Sequence, residues 1–465
     1  MSDLWVVWLC ARIAGGSEED YMTNRTEQKE QSDFRYETGD AAVPWRAVGE
    51  PVTSDDITRL VEFLIQPVEG KSEAYEKQLA AVRTAIEALA AEGQYAGKLS
   101  LGQNVKGLEA EVARMLGVKH ACFLASWTGG MEIALRLAGL CQGDEVIIPS
   151  NTFVATMLWP LSIGAKVVFA DIDQRTVNID PSDVARKITP KTRAVMPVHI
   201  GGYPADMDPI MALARKHDIA VIEDAAHAFG ALYRGRKVGT IGDFGGYSFH
   251  EVKNITSLGE GGLLVSNSDL GEQFAKARFC GLDFTRQVKN WLYDVTALRD
   301  RSGNAVAPCN YSVTEAQAVV LLNQMTRFEQ ILVRRREAFR YLCQRFAETP
   351  EIVLPPGDTE EIRSTHHLFL LQVNPAMLLG DVQDLKAKLK SKGVTEIQHF
   401  APMYKFEIMR ELGYDREAIA ETCPSTEQVF CHKYTHLPLY GLTRGQLEYM
   451  AAAVLAAVRE LKEGK

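Results

Sequence analysis

Ala220-Val-Ile-Glu-Asp-Ala-Ala-His-Ala-Phe-Gly230 opens on an unbroken apolar run, passes through two carboxylates and ends in small residues and a glycine. A strand apolar on consecutive residues is buried on both faces, the pattern of a parallel sheet covered by helices. The same pattern recurs on either side, at His120–Leu124, Glu145–Pro149, Lys166–Ala170, Arg193–His199, Phe244–Phe249 and Gly262–Val265. Helical stretches such as Gly129–Leu140 and Pro209–His217 separate most of these runs. Strand and helix in alternation predict an α/β fold with a mostly parallel seven-stranded sheet sandwiched by helices. Ligands of such sheets sit at the carboxyl ends of the strands. The polar and glycine-rich punctuation falls there: Ser126–Gly130, Ser150–Phe153, Asp224–His227 and Ser248–Lys253.

The flanking regions set the organisation. Residues 1–40 read as a polar tail, 41–330 as N-terminal helices followed by the large α/β domain, and 331–465 as a small α+β domain. Leu4–Ala11 is apolar but far short of the roughly 20 residues that span a bilayer. Ser2 and Asp3 precede it where a signal peptide would carry basic residues. Tyr75, Leu79, Val82, Ile86 and Leu89 form the stripe of an amphipathic helix, read as packing on its own domain. The small domain is expected to hold a long charged helix over Gln324–Ala347, apolar runs at Leu368–Val373 and Ile397–Phe400, and a closing helix at Arg444–Leu461.

In 465 residues, 51 Lys and Arg face 60 Asp and Glu, a formal charge of −9. That excess argues against nucleic acid and anionic membrane as partners, since both need a basic face. The eight cysteines form no CxxC pair and no metal-ligand spacing with histidine, so they read as thiols of a reducing, cytoplasmic compartment.

Three segments carry candidate chemistry. In Ser126-Trp-Thr-Gly-Gly130 a strand passes through a turn into a helix, and the N–H groups there suit an anion such as phosphate. Any strand-to-helix turn shares those features. Asp224 leaves a strand end in a tight place and needs a partner. It reads either as a helix cap or as the counter-ion of a protonated heterocycle. In Ser248-Phe-His-Glu-Val-Lys253, followed by Gly259-Glu-Gly-Gly262, the lysine is either a solvated cation or a buried amine that loses its charge and becomes a nucleophile. The glycine run lacks G-x-G-x-x-G spacing and precedes a strand, which disfavours dinucleotide binding.

Taken together these segments suggest a pyridoxal phosphate site, and here the sequence resembles the DegT/DnrJ/EryC1/StrS family of sugar aminotransferases, of the aspartate-aminotransferase-like fold type I. The resemblance spans roughly residues 98–460 and rests on five stretches. They are Pro149-Ser-Asn-Thr-Phe-Val-Ala-Thr156, Met196-Pro-Val-His-Ile-Gly-Gly202, Glu223–Gly230, Ser248–Asn254 with its glycine run, and Asn310-Tyr-Ser-Val-Thr-Glu-Ala-Gln317. It implies that Lys253 forms the Schiff base with the cofactor and then shuttles the proton. Asp224 would pair with the pyridinium nitrogen, Phe153 would stack on the ring and His227 would approach the ring oxygen. Thr128, the Gly129 amide and Ser248 would hold the phosphate, with Asn310 reaching it from the neighbouring subunit of a homodimer with shared sites. Taken alone, Phe153 also reads as core filler, His227 as a core histidine and Asn310 as a turn residue. The implied reaction moves an amino group from glutamate or glutamine to a keto sugar, nucleotide-linked, or to a related cyclitol ketone. Relatives that dehydrate sugars carry histidine in place of the lysine; Lys253 is present here. A non-catalytic relative on the same scaffold is the other alternative.

Some residues depart from the family pattern. Trp127 stands in the phosphate turn where a small residue is usual, and Ser312 follows Asn310-Tyr where an arginine is usual. His399-Phe-Ala-Pro-Met-Tyr404 resembles a segment that ends in histidine, which makes His399 and Tyr404, with His250, candidate substrate contacts. The helix around 72–91 and a loop from about Asp283 to Pro308 are additions.

Overall fold

The structure, a computed structural model, describes residues 50, 52–93, 98–282, 294–394 and 401–464. The expected tail, Ile397–Phe400 and His399 lie outside the described residues. The chain divides into two compact units, Met1–Leu99 with Phe284–Asp294, and Ser100–Asp283 with Val295–Lys465.

Within the first unit, α1 (Ser54–Leu64) starts on a capping box between Thr53 and Asp56, and α2 (Glu73–Glu92) starts on Ser72. Each cap satisfies N–H groups that a helix start leaves without partners. The two helices pack together, and the Tyr75 hydroxyl donates to the Ile65 carbonyl at 2.6 Å. The predicted stripe is only partly covered: Tyr75, Leu79 and Ile86 are half-buried, whereas Val82 and Leu89 are exposed.

In the second unit, α3 (Gln103–Leu116) leads into seven strands: β1 (His120–Leu124), β2 (Glu145–Pro149), β3 (Lys166–Ala170), β4 (Thr192–Val195), β5 (Ala220–Asp224), β6 (Phe244–Ser248) and β7 (Gly262–Ser266). Their order is β1-β7-β6-β5-β4-β2-β3, parallel throughout except that β7 runs antiparallel to both its neighbours. Side chains alternate between the faces with a period of two. Phe123, Ile147, Val221 and Leu263 enter one core, whereas Leu124, Ile148, Ile222 and Leu264 enter the other. Both faces are therefore apolar, as the unbroken runs require. The predicted β4 is cut short because Pro197 has no N–H to give the ladder. Pairing resumes only as an isolated bridge between Val198 and Asp224.

Helix α4 (Trp127–Leu137) begins two residues before the predicted start, capped by Ser126. Helix α5 (Glu315–Met325) ends shortly before Arg327 leaves helical geometry, so the predicted Gln324–Ala347 helix begins only at Phe328, as α6 (Phe328–Phe346). A second sheet, with the order β8 (Ile352–Val353), β9 (Leu368–Val373), β10 (Tyr434–Pro438), is antiparallel. It shares a core with α6, α7 (Val382–Ser391) and α8 (Arg444–Glu463). The additional loop contains a hairpin of Leu298–Arg299 with Ala305–Val306. Among the described residues no helix is long and apolar enough to cross a membrane.

One carboxylate ties distant segments of the sheet unit together. Glu315, the first residue of α5, accepts the N–H groups of Gly102 at 2.7 Å, Asn104 at 2.8 Å and Val105 at 3.2 Å, closing the start of α3. Glu315→Ala should therefore lower stability by about 2–3 kcal/mol, the cost of leaving such donors unpaired. Glu315→Gln should lose less, because one oxygen still accepts. Urea midpoints of the two variants measure this, and an alanine variant as stable as wild type would show that water serves as well.

Candidate active site

Asp224 ends β5 and is only 4% exposed. Its Oδ1 accepts two N–H groups, the indole Nε1 of Trp127 at 2.9 Å and the backbone of Ala226 at 3.1 Å. Among the described residues its Oδ2 has only the Thr156 hydroxyl, at 3.5 Å. The indole reaches Asp224 because β6 offers no side chain in its path: a Cβ on Gly246 would sit 2.0 Å from the Trp127 ring. Gly246 is the register partner of Asp224 on β6, so the slot and the carboxylate lie side by side. Burial pushes the Asp224 carboxyl above the usual range; the Ala226 N–H, the Lys253 charge and the Trp127 N–H pull it back.

Lys253 lies in the turn between β6 and β7, where its backbone N–H donates to the His250 carbonyl at 3.0 Å. Burial holds its amine below the ordinary lysine range, opposed by the Asp224 charge. Among the described residues its ammonium forms no hydrogen bond and no ion pair. Lowered basicity makes the neutral, nucleophilic form of the amine easier to reach.

His227 is buried and stacks on His367, with ring centroids 4.4 Å apart. Its carbonyl accepts the Thr365 hydroxyl at 2.6 Å and the Asn254 amide at 3.3 Å. Asn254 Oδ1 then meets Nδ1 of His367 at 2.8 Å. Burial, reinforced by the neighbouring cations, pushes His367 well below the usual histidine range. It is therefore neutral, with its proton on Nδ1 toward Asn254. Sequence reading did not single out His367, which precedes β9 of the other sheet.

At the candidate phosphate turn, Ser126 Oγ accepts the Gly129 N–H at 3.2 Å. Gly129 is buried beneath the Tyr311 ring, which a Cβ there would meet at 2.7 Å, while Thr128 is exposed. An anion at this turn would share or displace the Ser126 contact to reach the Gly129 amide. Ser248 stands beside the turn: it is the register partner of Gly262, whose Cα lies against the backbone of Ser126 and Trp127. Phe153, at the end of β2, is 57% exposed, and its carbonyl accepts the N–H of Thr156 at 3.2 Å. The segment also contains Asn151, a buried side chain with neither amide atom hydrogen-bonded. Asn310 is exposed, its Oδ1 accepting the Ser312 hydroxyl at 2.8 Å.

The substrate candidates fare differently. His250 is half-buried and its Nε2 faces Glu260 at 3.6 Å. Tyr404 must be corrected: it is fully buried, donates to Glu427 at 2.6 Å and sets its ring against Phe169. The cause is docking of its segment on the end of β2, through Met403 N–H to the Ser150 carbonyl at 2.9 Å and a bridge between Asn151 and Pro402. That contact turns Tyr404 into the core.

These features fit the cofactor that the resemblance implies. An unpaired lysine amine suits the aldehyde carbon of pyridoxal phosphate. A buried carboxylate with one oxygen left open suits a protonated ring nitrogen. A helix start with Thr128 exposed suits the phosphate.

Solved structures superpose on most of the chain. One is DesV from S. venezuelae in complex with a ketimine intermediate, at 29% identity, covering 83% of this chain and 96% of that one with a TM-score of 0.66. Another is 3-amino-5-hydroxybenzoic acid synthase, at 27% identity, 81% and 96% coverage, and a TM-score of 0.69. The PLP form of a sugar aminotransferase from Streptococcus pneumoniae shares the fold at 24% identity, 81% and 96% coverage, and a TM-score of 0.70. The model of one family matches residues 81–455, a span that takes in the open carboxylate, the unpaired lysine and the capped turn alike. This chain belongs to the DegT/DnrJ/EryC1/StrS aminotransferase family.

Proposed function

We propose that this pyridoxal phosphate-dependent aminotransferase moves an amino group from glutamate or glutamine to a keto sugar, nucleotide-linked, or to a related cyclitol ketone. The observation that carries the reading is the pair at the sheet's carboxyl end: a lysine amine without a hydrogen bond or ion pair among the described residues, and a buried aspartate with one oxygen open to a stronger donor. When bound, the cofactor supplies an electron sink for the carbon that loses its proton. Lys253 would hold the cofactor covalently in the resting protein. With the donor in its place, Lys253 Nζ would take the proton from the donor α-carbon and pass it on, a transfer its lowered basicity assists. Asp224 Oδ2 keeps the ring nitrogen protonated. Phe153 covers one ring face, and His227, held by Thr365 and Asn254, lies toward the ring oxygen. Thr128, Gly129 and Ser248 take the phosphate. The donor would leave as its keto acid, and the keto acceptor would then take up the amino group by the reverse steps.

We read the molecule as a cytoplasmic homodimer whose Asn310 reaches the neighbouring subunit's phosphate. In support, Asn310 is exposed, and Ser312 occupies its Oδ1, so it would donate through Nδ2. Residues 331–465 are read as the small domain that frames the acceptor.

A panel of nucleotide-linked keto sugars and cyclitol ketones, incubated with amino-labelled glutamate or glutamine, tests the reaction. Label should appear in one acceptor with wild type and in none with Lys253→Ala that still folds. Release of water without labelled product would assign a dehydratase. A cofactor that neither donor discharges would assign a non-catalytic relative.

Mixing tests the shared site. Asn310→Ala and Lys253→Ala should each be defective alone. Heterodimers put both lesions in one site and leave the other intact, so mixing should restore up to roughly one quarter of wild-type activity per subunit, by two-fold symmetry. With subunit exchange shown by mass, no recovery would place Asn310 in the same subunit's site as Lys253.

A further inference from the structure

We propose that Trp127 is a positioning residue for the cofactor: its indole N–H, with the Ala226 N–H, occupies Oδ1 of Asp224 and so reserves Oδ2, ionised, for the ring nitrogen. This rests on the reading that Asp224 holds that nitrogen, and deepens it.

A carboxyl group has two oxygens and can carry its proton on either. Two N–H donors aimed at one oxygen occupy its lone pairs, so a proton there would cost at least one of the bonds. Trp127 Nε1 at 2.9 Å and Ala226 N at 3.1 Å both point at Oδ1. The Thr156 hydroxyl, at 3.5 Å from Oδ2, is at the outer limit of a hydrogen bond and leaves that oxygen open to a stronger donor. The buried charge needs such help. Burial opposes it, whereas the Ala226 N–H, Lys253 and the Trp127 N–H favour the ionised form; His199, the other titratable group nearby, turns its Nε2 proton to Glu223.

The position of the indole is built into the fold. Trp127 is 3% exposed, and the slot it fills exists because residues 246 and 130 are glycines; a Cβ on Gly130 would lie 2.6 Å from the ring. Its backbone caps β7, where a Cβ on Gly262 would sit 2.1 Å from Trp127 N. The backbone of residues 126–129 thus faces the candidate phosphate position while the Trp127 side chain passes inward to the ring-nitrogen end. One turn would serve both ends of the cofactor. A small residue at 127, usual in the family, could fill neither the slot nor the role.

Shape and donation can be separated. 3-Benzothienylalanine installed at position 127 in the full chain keeps the bicyclic shape and loses the N–H. Pyridoxamine 5′-phosphate, which cannot bond covalently to Lys253, reports how tightly the ring is held. The expected result is about a tenfold higher dissociation constant, the scale of one hydrogen bond to a charged group. The thermal midpoint of the cofactor-stripped protein should fall only by the loss of that one bond, and the acid limb of binding should move to higher pH, because Asp224 then protonates more readily. Trp127→Phe should weaken binding at least as much while also lowering the midpoint. In an Asp224→Asn background the benzothienyl substitution should add nothing further. A wild-type dissociation constant and acid limb in the benzothienyl protein, with binding weakened by Asp224→Asn alone, would overturn the proposal. Wild-type binding in Asp224→Asn itself would overturn the proposal together with the reading of Asp224.

Discussion

A carboxylate buried at the end of a central strand has to be compensated, and the surroundings of Asp224 are arranged around that requirement. Removing a charge from water costs several kcal/mol unless hydrogen bonds or opposite charges replace the solvent. At Asp224 the compensation is incomplete. Two N–H groups serve one oxygen, the other is left with a long contact, and the nearby lysine is itself held low in basicity by burial. A cationic ring nitrogen against the open oxygen would complete the set.

The preceding residue shows what full compensation looks like. Glu223, on the opposite face of the same strand, has no exposure at all. It accepts N–H groups from Gly239 at 2.8 Å, Ile241 at 2.5 Å and Gly242 at 2.6 Å, and meets Nε2 of His199 at 3.2 Å. Ala205 donates to Nδ1 of His199 at 3.0 Å, so the imidazole proton lies on Nε2 and faces the carboxylate. Both oxygens of Glu223 have internal partners, and the residue serves to pin the 239–242 turn beneath the sheet. Two consecutive carboxylates, sent to opposite faces by the period of a strand, thus divide into one that is closed and structural and one that is open and available to a ligand.

That division also explains how far the sequence could be read. The seven strands were legible because both sheet faces are apolar, so each strand is an unbroken run. Asp224 and Lys253 stood out because their segments carry distinctive local text at strand ends, and the resemblance supplied the roles proposed for them. Trp127 appeared only as a misfit in a phosphate turn. Its partner is 97 residues away, and the slot depends on a glycine of a third segment. His367 was missed because it comes from the second sheet and joins His227 only through folding. Tyr404 was misread for the same reason: docking of its segment on β2 decides which way it points, and no local pattern records that contact.

The open carboxylate matters through the charge state of the ring nitrogen, which nitrogen-15 magnetic resonance reads directly. Full-length protein loaded with pyridoxal phosphate labelled at that nitrogen should give the shift of a protonated pyridinium throughout neutral pH, and Asp224→Asn should move it to the neutral-pyridine value. A neutral-pyridine shift in the wild type would contradict the assignment of Asp224 as the counter-ion and, with it, the functional role of the buried carboxylate.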